Sequence, residues 1–232
     1  TSEAANEEQS EALNSLKEWD GESTIDTIAT TIYQAWFMHL GRSVFEDDLN
    51  GDLYDHFSNR DHPIFLAQIM TESHNPWCDN VSTTANESCA DIRQDALQIA
   101  LDDLTERLGD NMSDWQWGSL HRTQYPHNPF TEVEMLKPFF HREIENGGDG
   151  YTVNVAPVRS SQAYLQYHVP SYREIIDMSN LNNSVFMHTT GQSGNVLSKH
   201  YDDLIERHQA VEYVPMSFGR EAVTGDTLIL QP

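Results

Sequence analysis

STIDTIATTIYQAWFMHL, residues 23–40, is the most strongly patterned stretch of the 232-residue chain. Ile25, Ile28, Ile32, Ala35, Trp36 and Leu40 recur at spacings of three and four, which lines them along one stripe of a helix and marks that stripe as core. Ser23, with Asp26 three residues on, predicts that the helix starts at a capping box. Toward the N-terminus, Ala12, Leu13, Leu16 and Trp19 form a second helical pattern, stopped by Asp20-Gly21. Toward the C-terminus, Leu49, Leu53 and Phe57 keep the same period, and Pro63 opens a short helix through Met70. Leu97, Leu101, Leu104 and Leu108 mark another, capped by Ser88 and ended by Gly109. Residues 1–110 therefore read as mainly helical.

Beyond Asp114 the texture changes. Pro126, Pro129 and Pro138 break helical periodicity, and Gly147-Gly148-Asp149-Gly150 reads as a turn. Tyr151 to Val155 alternates large apolar with polar residues, Tyr164 to Val169 and Tyr172 to Met178 are extended candidates, and Val185-Phe186-Met187 is a short buried run. Helix returns around Tyr201 to His208, and Thr227 to Leu230 reads as a last strand. Residues 111–232 thus mix strands and loops, and helices followed by strands predict an α+β class. With no repeat, linker or low-complexity tract, residues 1–232 are expected to form a single unit.

Charge narrows the function. Against 37 Asp and Glu there are 13 Lys and Arg, a formal net charge of -24. Lys17, Lys137 and Lys199 are the only lysines and the arginines are scattered singly, so no nucleic acid and no anionic membrane surface is expected as a partner. Hydrophobic residues at 38% are enough for a core, since a chain this long buries roughly 70% of its unfolded surface. No apolar run approaches the ~20 residues of a membrane helix. Glu3, Glu7 and Glu8 make the first residues unlike a basic and apolar leader. A chain that starts at Thr1 rather than Met is expected to be a processed product or a piece of something longer.

Cys78 and Cys89 flank a polar stretch that reads as a surface loop. The pair suits a disulfide, with two free thiols in a reducing compartment as the alternative; zinc would need two more ligands at matched spacing. An oxidised pair would imply a periplasmic or secreted setting.

Several constellations invite a chemical reading and fall short of one. Gly191-Gln192-Ser193-Gly194-Asn195 places a serine on a tight turn after a strand, but a nucleophile elbow needs glycine where Asn195 stands. His200, Asp202, Asp203 and His208 crowd into too short a segment to converge on Ser193 as a triad must. The eleven histidines show no i, i+4 metal pair, and His200 and His208 are two helical turns apart, so no metal site is expected. Asp47-Asp48, Asp102-Asp103 and Asp202-Asp203 are neighbours whose side chains diverge on a helix, and the stretch running to Asp52 lacks calcium-loop spacing. Thr1 opens a polar, acidic segment and reads as a frayed helix start, not as an N-terminal nucleophile.

Taken together, the motifs resemble one family. Trp115-Gln116-Trp117-Gly118-Ser119-Leu120-His121, Pro126-His127, Gly147-Gly148-Asp149-Gly150-Tyr151-Thr152-Val153-Asn154, Ser171-Tyr172-Arg173 with Asp177, Gly191 to Asn195, and Ser198-Lys199-His200-Tyr201-Asp202-Asp203 occur in that order. In this order they look like the C-terminal part of the large chain of penicillin amidases, with a departure at Val196 and Lys199, where relatives more often carry proline. The resemblance spans nearly the whole chain. It implies the C-terminal portion of a four-layer αββα N-terminal-nucleophile hydrolase, made as an exported precursor and cut into a small and a large chain. It further implies amide hydrolysis through an acyl-enzyme, with the serine that begins the large chain as nucleophile, its α-amino group as base, and an asparagine with a backbone amide holding the oxyanion. Those residues precede the stretch matched here, so no catalytic residue and no cofactor is expected within it; the family permits a calcium ion elsewhere in the full protein. The implied partners are the rest of the large chain, the small chain of the same precursor and a small N-acyl substrate. The strands Tyr151 to Ala156, Tyr172 to Met178 and Val185 to Thr190 would then complete a sheet begun elsewhere.

Overall fold

A computed structural model describes residues 4–49, 51–58, 63–158, 162–222 and 228. Helices α1 (Glu7–Glu18), α2 (Ile28–Phe45), α3 (Gly51–Ser58), α4 (Pro63–Ile69) and α5 (Cys89–Leu108) fill the first half. After it come α6 (Trp117–Leu120), β1 (Arg122–Tyr125), α7 (Lys137–Phe140), β2 (Arg142–Glu145), β3 (Tyr172–Ile175), β4 (Val185–His188), α8 (Ile205–Gln209) and β5 (Val214–Pro215). The class is α+β, as the order of patterns predicts. No helix among the described residues is long and apolar enough to cross a membrane.

Where one unit is expected, the chain divides into two compact units: Thr1–Gln124 with Glu145–His168, and Tyr125–Ile144 with Val169–Pro232. Two of the passages between them fall inside β1 and β2. Regular strand backbone carries no glycine or proline linker, so composition does not mark the division.

In the first unit α2 packs along α5, with α1 against both. One apolar cluster joins Leu13, Ile32, Ala35, Leu97, Leu101, Leu104, Trp115, Trp117 and Tyr164. A second gathers Leu40, Val44, Phe45, Leu66, Ile69 and Ile92 around Cys78 and Cys89. These two cysteines are bonded, with Cα atoms 4.9 Å apart. Ser88 caps α5 as expected: its Oγ accepts the Asp91 amide, and the Asp91 carboxylate accepts the Ser88 amide at 2.9 Å. Gly109, at φ +91°, ends the helix in a conformation that favours glycine.

The start of α2 departs from the pattern. The helix begins at Ile28, with Thr27 as its N-cap residue, and Ser23 does not cap it. The reason is tertiary: the Ser23 carbonyl accepts from the Gly148 amide (2.6 Å) and the Ile25 carbonyl from the Gly118 amide (2.7 Å). These bonds to distant glycines hold residues 23–25 in a non-helical course, so the helix starts only after them.

In the second unit β3, β4 and β5 form an antiparallel sheet in that order, with Tyr172 opposite His188, Ile175 opposite Val185, and Phe186 opposite Val214. Tyr172 to Met178 and Val185 to Thr190 are thus strands over their first four residues. Tyr151 to Ala156 is not a strand. Asp149 Oδ1 accepts the amides of Tyr151 (2.7 Å) and Thr152 (2.9 Å), the Thr152 hydroxyl donates to the Asn154 carbonyl (3.0 Å), and Val153 is fully solvent-exposed. Local side-chain bonds have consumed what a ladder would need. Tyr164 to Val169 makes only isolated bridges, through Gln166, because Ala163 and Tyr164 hold positive φ. The helix expected from Tyr201 starts at Ile205, since the carbonyls of His200 and Tyr201 accept from the amides of Ser193 (3.0 Å) and Gly191 (3.1 Å). The last predicted strand, apart from Leu228, lies outside the described residues, as does Thr1.

Candidate functional site

The tryptophan and glycine motifs build a buried polar frame in the first unit. Trp117 Nε1 donates to the Gly148 carbonyl (2.9 Å), and the Trp117 ring lies on His121, centroids 4.4 Å apart and nearly parallel. His121 is fully buried, and its Nδ1–H donates to the Tyr164 carbonyl (2.9 Å). Burial holds this imidazole down at about 4, against the opposing pull of that bond and of Asp149. Asp149 accepts Gln34 Nε2 from α2 at 3.0 Å. Asn146 Nδ2 bridges Thr123 Oγ1 (2.9 Å) and Gln166 Oε1 (2.8 Å), and the Thr123 hydroxyl also donates to Gln166 Oε1. The glycines are required by close approach: a Cβ on Gly147 would meet the Ser23 carbonyl oxygen at 2.7 Å, and one on Gly148 the Asn154 oxygen at 2.0 Å.

At the edge of this frame Asp103 collects the Tyr164 hydroxyl (2.5 Å), Arg107 Nε (2.8 Å) and His39 Nε2 (3.4 Å). Burial alone would raise this carboxyl, but the three donors hold it below its ordinary value. Burial, reinforced by Asp103, raises the Tyr164 phenol. These groups fix α2, α5 and the Tyr164 turn to one another; a carboxylate whose oxygens are committed to three donors is a poor general base.

The second unit carries a cleft of about 460 Å³, within the range of small-molecule sites. It is lined by Tyr125 to Asn128, Arg142, His188, Thr190 to Gly194, Tyr201 and Ile205. Tyr201 braces it. Its hydroxyl donates to the Phe140 carbonyl (2.6 Å), so the bond from His127 (2.9 Å) must be Nδ1–H donating to the phenol oxygen. The Arg142 guanidinium lies over the Tyr201 ring, 5.0 Å from its centroid, and Nε is tied to Asp202 Oδ2 at 2.6 Å. Gly191 belongs to this brace, because a Cβ there would strike the His200 carbonyl oxygen at 1.8 Å.

The polar residues around Ser193 do not assemble into a triad. Ser193 Oγ accepts the Asn195 amide (3.2 Å), His200 Nδ1 pairs with Asp203 (2.7 Å), Asp202 is held by Arg142, and His208 Nε2 donates to the Pro170 carbonyl (3.0 Å). Each of these candidate bases and acids is committed elsewhere, so none of them is aligned on the serine as a proton acceptor. Asp177 closes the turn after β3, accepting from Ser179 and Asn183, and those bonds lower its carboxyl. Among the described residues no three His, Cys, Asp or Glu side chains gather as metal ligands.

Gln34, Tyr164, Asn146 and Gln166 belong to the frame, yet no spacing rule singles them out. Gln34 lies in α2 on the face away from its apolar stripe, and Asn146 directly precedes the glycine motif.

Comparison with known proteins places this geometry. The penicillin amidase family profile matches residues 2–225. An acyl-homoserine lactone acylase, QuiP, of Pseudomonas aeruginosa is 26% identical over 226 residues, covering 90% of this chain and 27% of that protein. Its namesake from Pseudomonas syringae pv. tomato is 27% identical over 212 residues, covering 88% and 26%. The chain therefore spans about a quarter of the length of the curated relatives it matches. In three dimensions it is similar to a thermostable penicillin G acylase from Alcaligenes faecalis, with a TM-score of 0.52, 18% identity, and coverage of 99% of this chain and 44% of that one. With the ordered motifs, the α+β architecture and the profile in agreement, the chain belongs to the penicillin amidase family.

Proposed function

We propose that these 232 residues are the C-terminal part of the large chain of an amide hydrolase, and that its serine nucleophile lies in polypeptide outside them. The substrates on this reading are penicillins, acyl-homoserine lactones or related N-acyl compounds, cleaved through an acyl-enzyme. The partners are the remainder of the large chain and the small chain of one precursor. Export to the periplasm or beyond belongs to the same reading, and the Cys78–Cys89 bond supports it, since such bonds persist outside a reducing cytosol.

The observation that carries the proposal is the interior of the second unit. Among its described residues the buried hydrophobic side chains are Met187 and Ile205, while Tyr172, Ile175, Ile176 and Met178 stand exposed along and just beyond β3. A three-stranded sheet with so small a core and an apolar open edge has surface left for a further strand or layer. The dispersal of the groups around Ser193 supports placing the reacting atoms elsewhere.

The 232-residue chain alone is expected to show no turnover of a phenylacetyl amide or an N-acyl-homoserine lactone, with activity recovered when it is refolded with the polypeptide encoded upstream. Ser193→Ala in that assembly should leave kcat within about twofold. Turnover by the chain alone, or its loss in Ser193→Ala, would sink the proposal. A second reading, a self-sufficient secreted binding or structural domain of the same ancestry, draws on the first unit, which has two apolar clusters and a disulfide of its own. Cooperative unfolding of the whole free chain without binding of a hydrophobic dye would favour it.

A further inference from the structure

The small interior of the second unit also holds an imidazole. His208, on α8, is fully buried, and its Nε2–H donates to the Pro170 carbonyl at 3.0 Å. The ring's lone pair is therefore on Nδ1, which is buried with no hydrogen-bond partner among the described residues. From β3, Arg173 reaches across and donates Nη1 to the carbonyl of His208 itself (3.0 Å). From β4 the facing group is His188, whose Nδ1 is likewise buried and unpartnered. Tyr125 and Tyr213 are the further titratable groups around Arg173. On α8 the neighbours are Glu206 and Arg207, and Arg207 turns away to Glu212 (3.1 Å) and the Tyr213 carbonyl (3.1 Å). A proton on Nδ1 would thus create a buried cation that faces a guanidinium and a second imidazole, with no acceptor among the described residues to receive its N–H.

We propose that protonation of His208 is an acid-operated release: it detaches α8 from β3 and β4 and opens the second unit, and with it the cleft that Tyr201 and Ile205 wall, while the first unit stays folded. Little fully buried apolar surface opposes the release: among the described residues of this unit the buried hydrophobic side chains are Met187 and Ile205, with Val185, Phe186, Leu204 and Val214 half-buried. Burial, and after it Arg173, lower the His208 imidazole from its ordinary value. The sign follows: an imidazole kept neutral on folding contributes stability above about pH 6.5, lost as pH falls from there toward the folded value.

The test is hydrogen exchange by mass spectrometry on the 232-residue chain between pH 7.5 and 5.5, corrected for intrinsic rates and read on peptides containing β4 and α8. Tryptophan emission serves as the internal control, since Trp19, Trp36, Trp77, Trp115 and Trp117 all lie in the first unit. The opening constant of the β4 and α8 peptides should rise about tenfold per pH unit below about 6.5, for one proton taken up, with tryptophan emission unchanged. His208→Gln, whose amide can still donate to Pro170, should flatten that dependence. Should the variant fail to fold, the wild-type His208 ring is followed by NMR: it is expected to stay neutral in the folded form while the open population grows. Unchanged protection down to pH 5.5, an equal pH dependence in His208→Gln, or a His208 ring that titrates near its ordinary value within the folded unit would each overturn the proposal.

Discussion

His121 offers a quantitative check on the frame of the first unit. In the unfolded chain its imidazole titrates near 6.5; in the fold burial holds it at about 4. The neutral ring is therefore linked to stability that is complete above pH 6.5 and is lost as pH falls from 6.5 toward 4. At about 1.4 kcal/mol per unit, the full loss comes to about 3 kcal/mol, a large fraction of a domain's 5–15 kcal/mol. Acid also protonates many carboxylates in so acidic a chain, so the relevant quantity is the difference between wild type and His121→Phe measured at each pH. Phenylalanine keeps the stacking on Trp117 but cannot titrate, and it loses the donor to the Tyr164 carbonyl, a flat cost of about 1–3 kcal/mol. Urea unfolding followed by tryptophan emission should show the variant less stable at pH 7, with the gap closing by about 3 kcal/mol by pH 4. A gap that stays constant across this range would refute the assignment of His121 as a buried neutral ring.

Further expectations concern the backbone and the disulfide. Gly148→Ala would put a Cβ 2.0 Å from the Asn154 carbonyl oxygen at φ +85°, and should cost more than about 3 kcal/mol or prevent folding. Gly194→Ala, where nothing lies within 4 Å, should change the stability of the second unit by no more than about 0.5 kcal/mol, read from the hydrogen-exchange protection of its β4 and α8 peptides. Reducing the Cys78–Cys89 bond, which closes a loop with a sequence separation of 11, should lower stability by about 3 kcal/mol, read as the shift in denaturation midpoint with and without a phosphine reductant.

How much was legible in advance differs between elements. α5 could be read from end to end, because its leucine period, the Ser88 capping box and Gly109 are all local signals. The stripe of α2 was equally plain, but its start was not: whether Ser23 caps a helix depends on Gly118 and Gly148, more than ninety residues away. The alternation in Tyr151 to Val155 was a real pattern with the wrong owner, since the Asp149 side chain captured those amides first. Around Ser193 the sequence argues against a triad from Asn195 and from crowding, but the brace formed by Tyr201, His127 and Arg142 joins residues whose spacing carries no signature.

What the sequence by itself determined is therefore the helical first half, the α+β class and the family, because periodicity, caps and ordered motifs act through near neighbours. The tertiary structure alone decided where α2 and α8 begin, that Tyr151 to Ala156 is not a strand, that the chain forms two units, and that among the described residues of the second the buried hydrophobic side chains are Met187 and Ile205. Each of these turns on which backbone group a distant residue reaches, or on which surfaces are left uncovered, and a segment whose carbonyls are tied across the fold is held in a course that its own local pattern does not set.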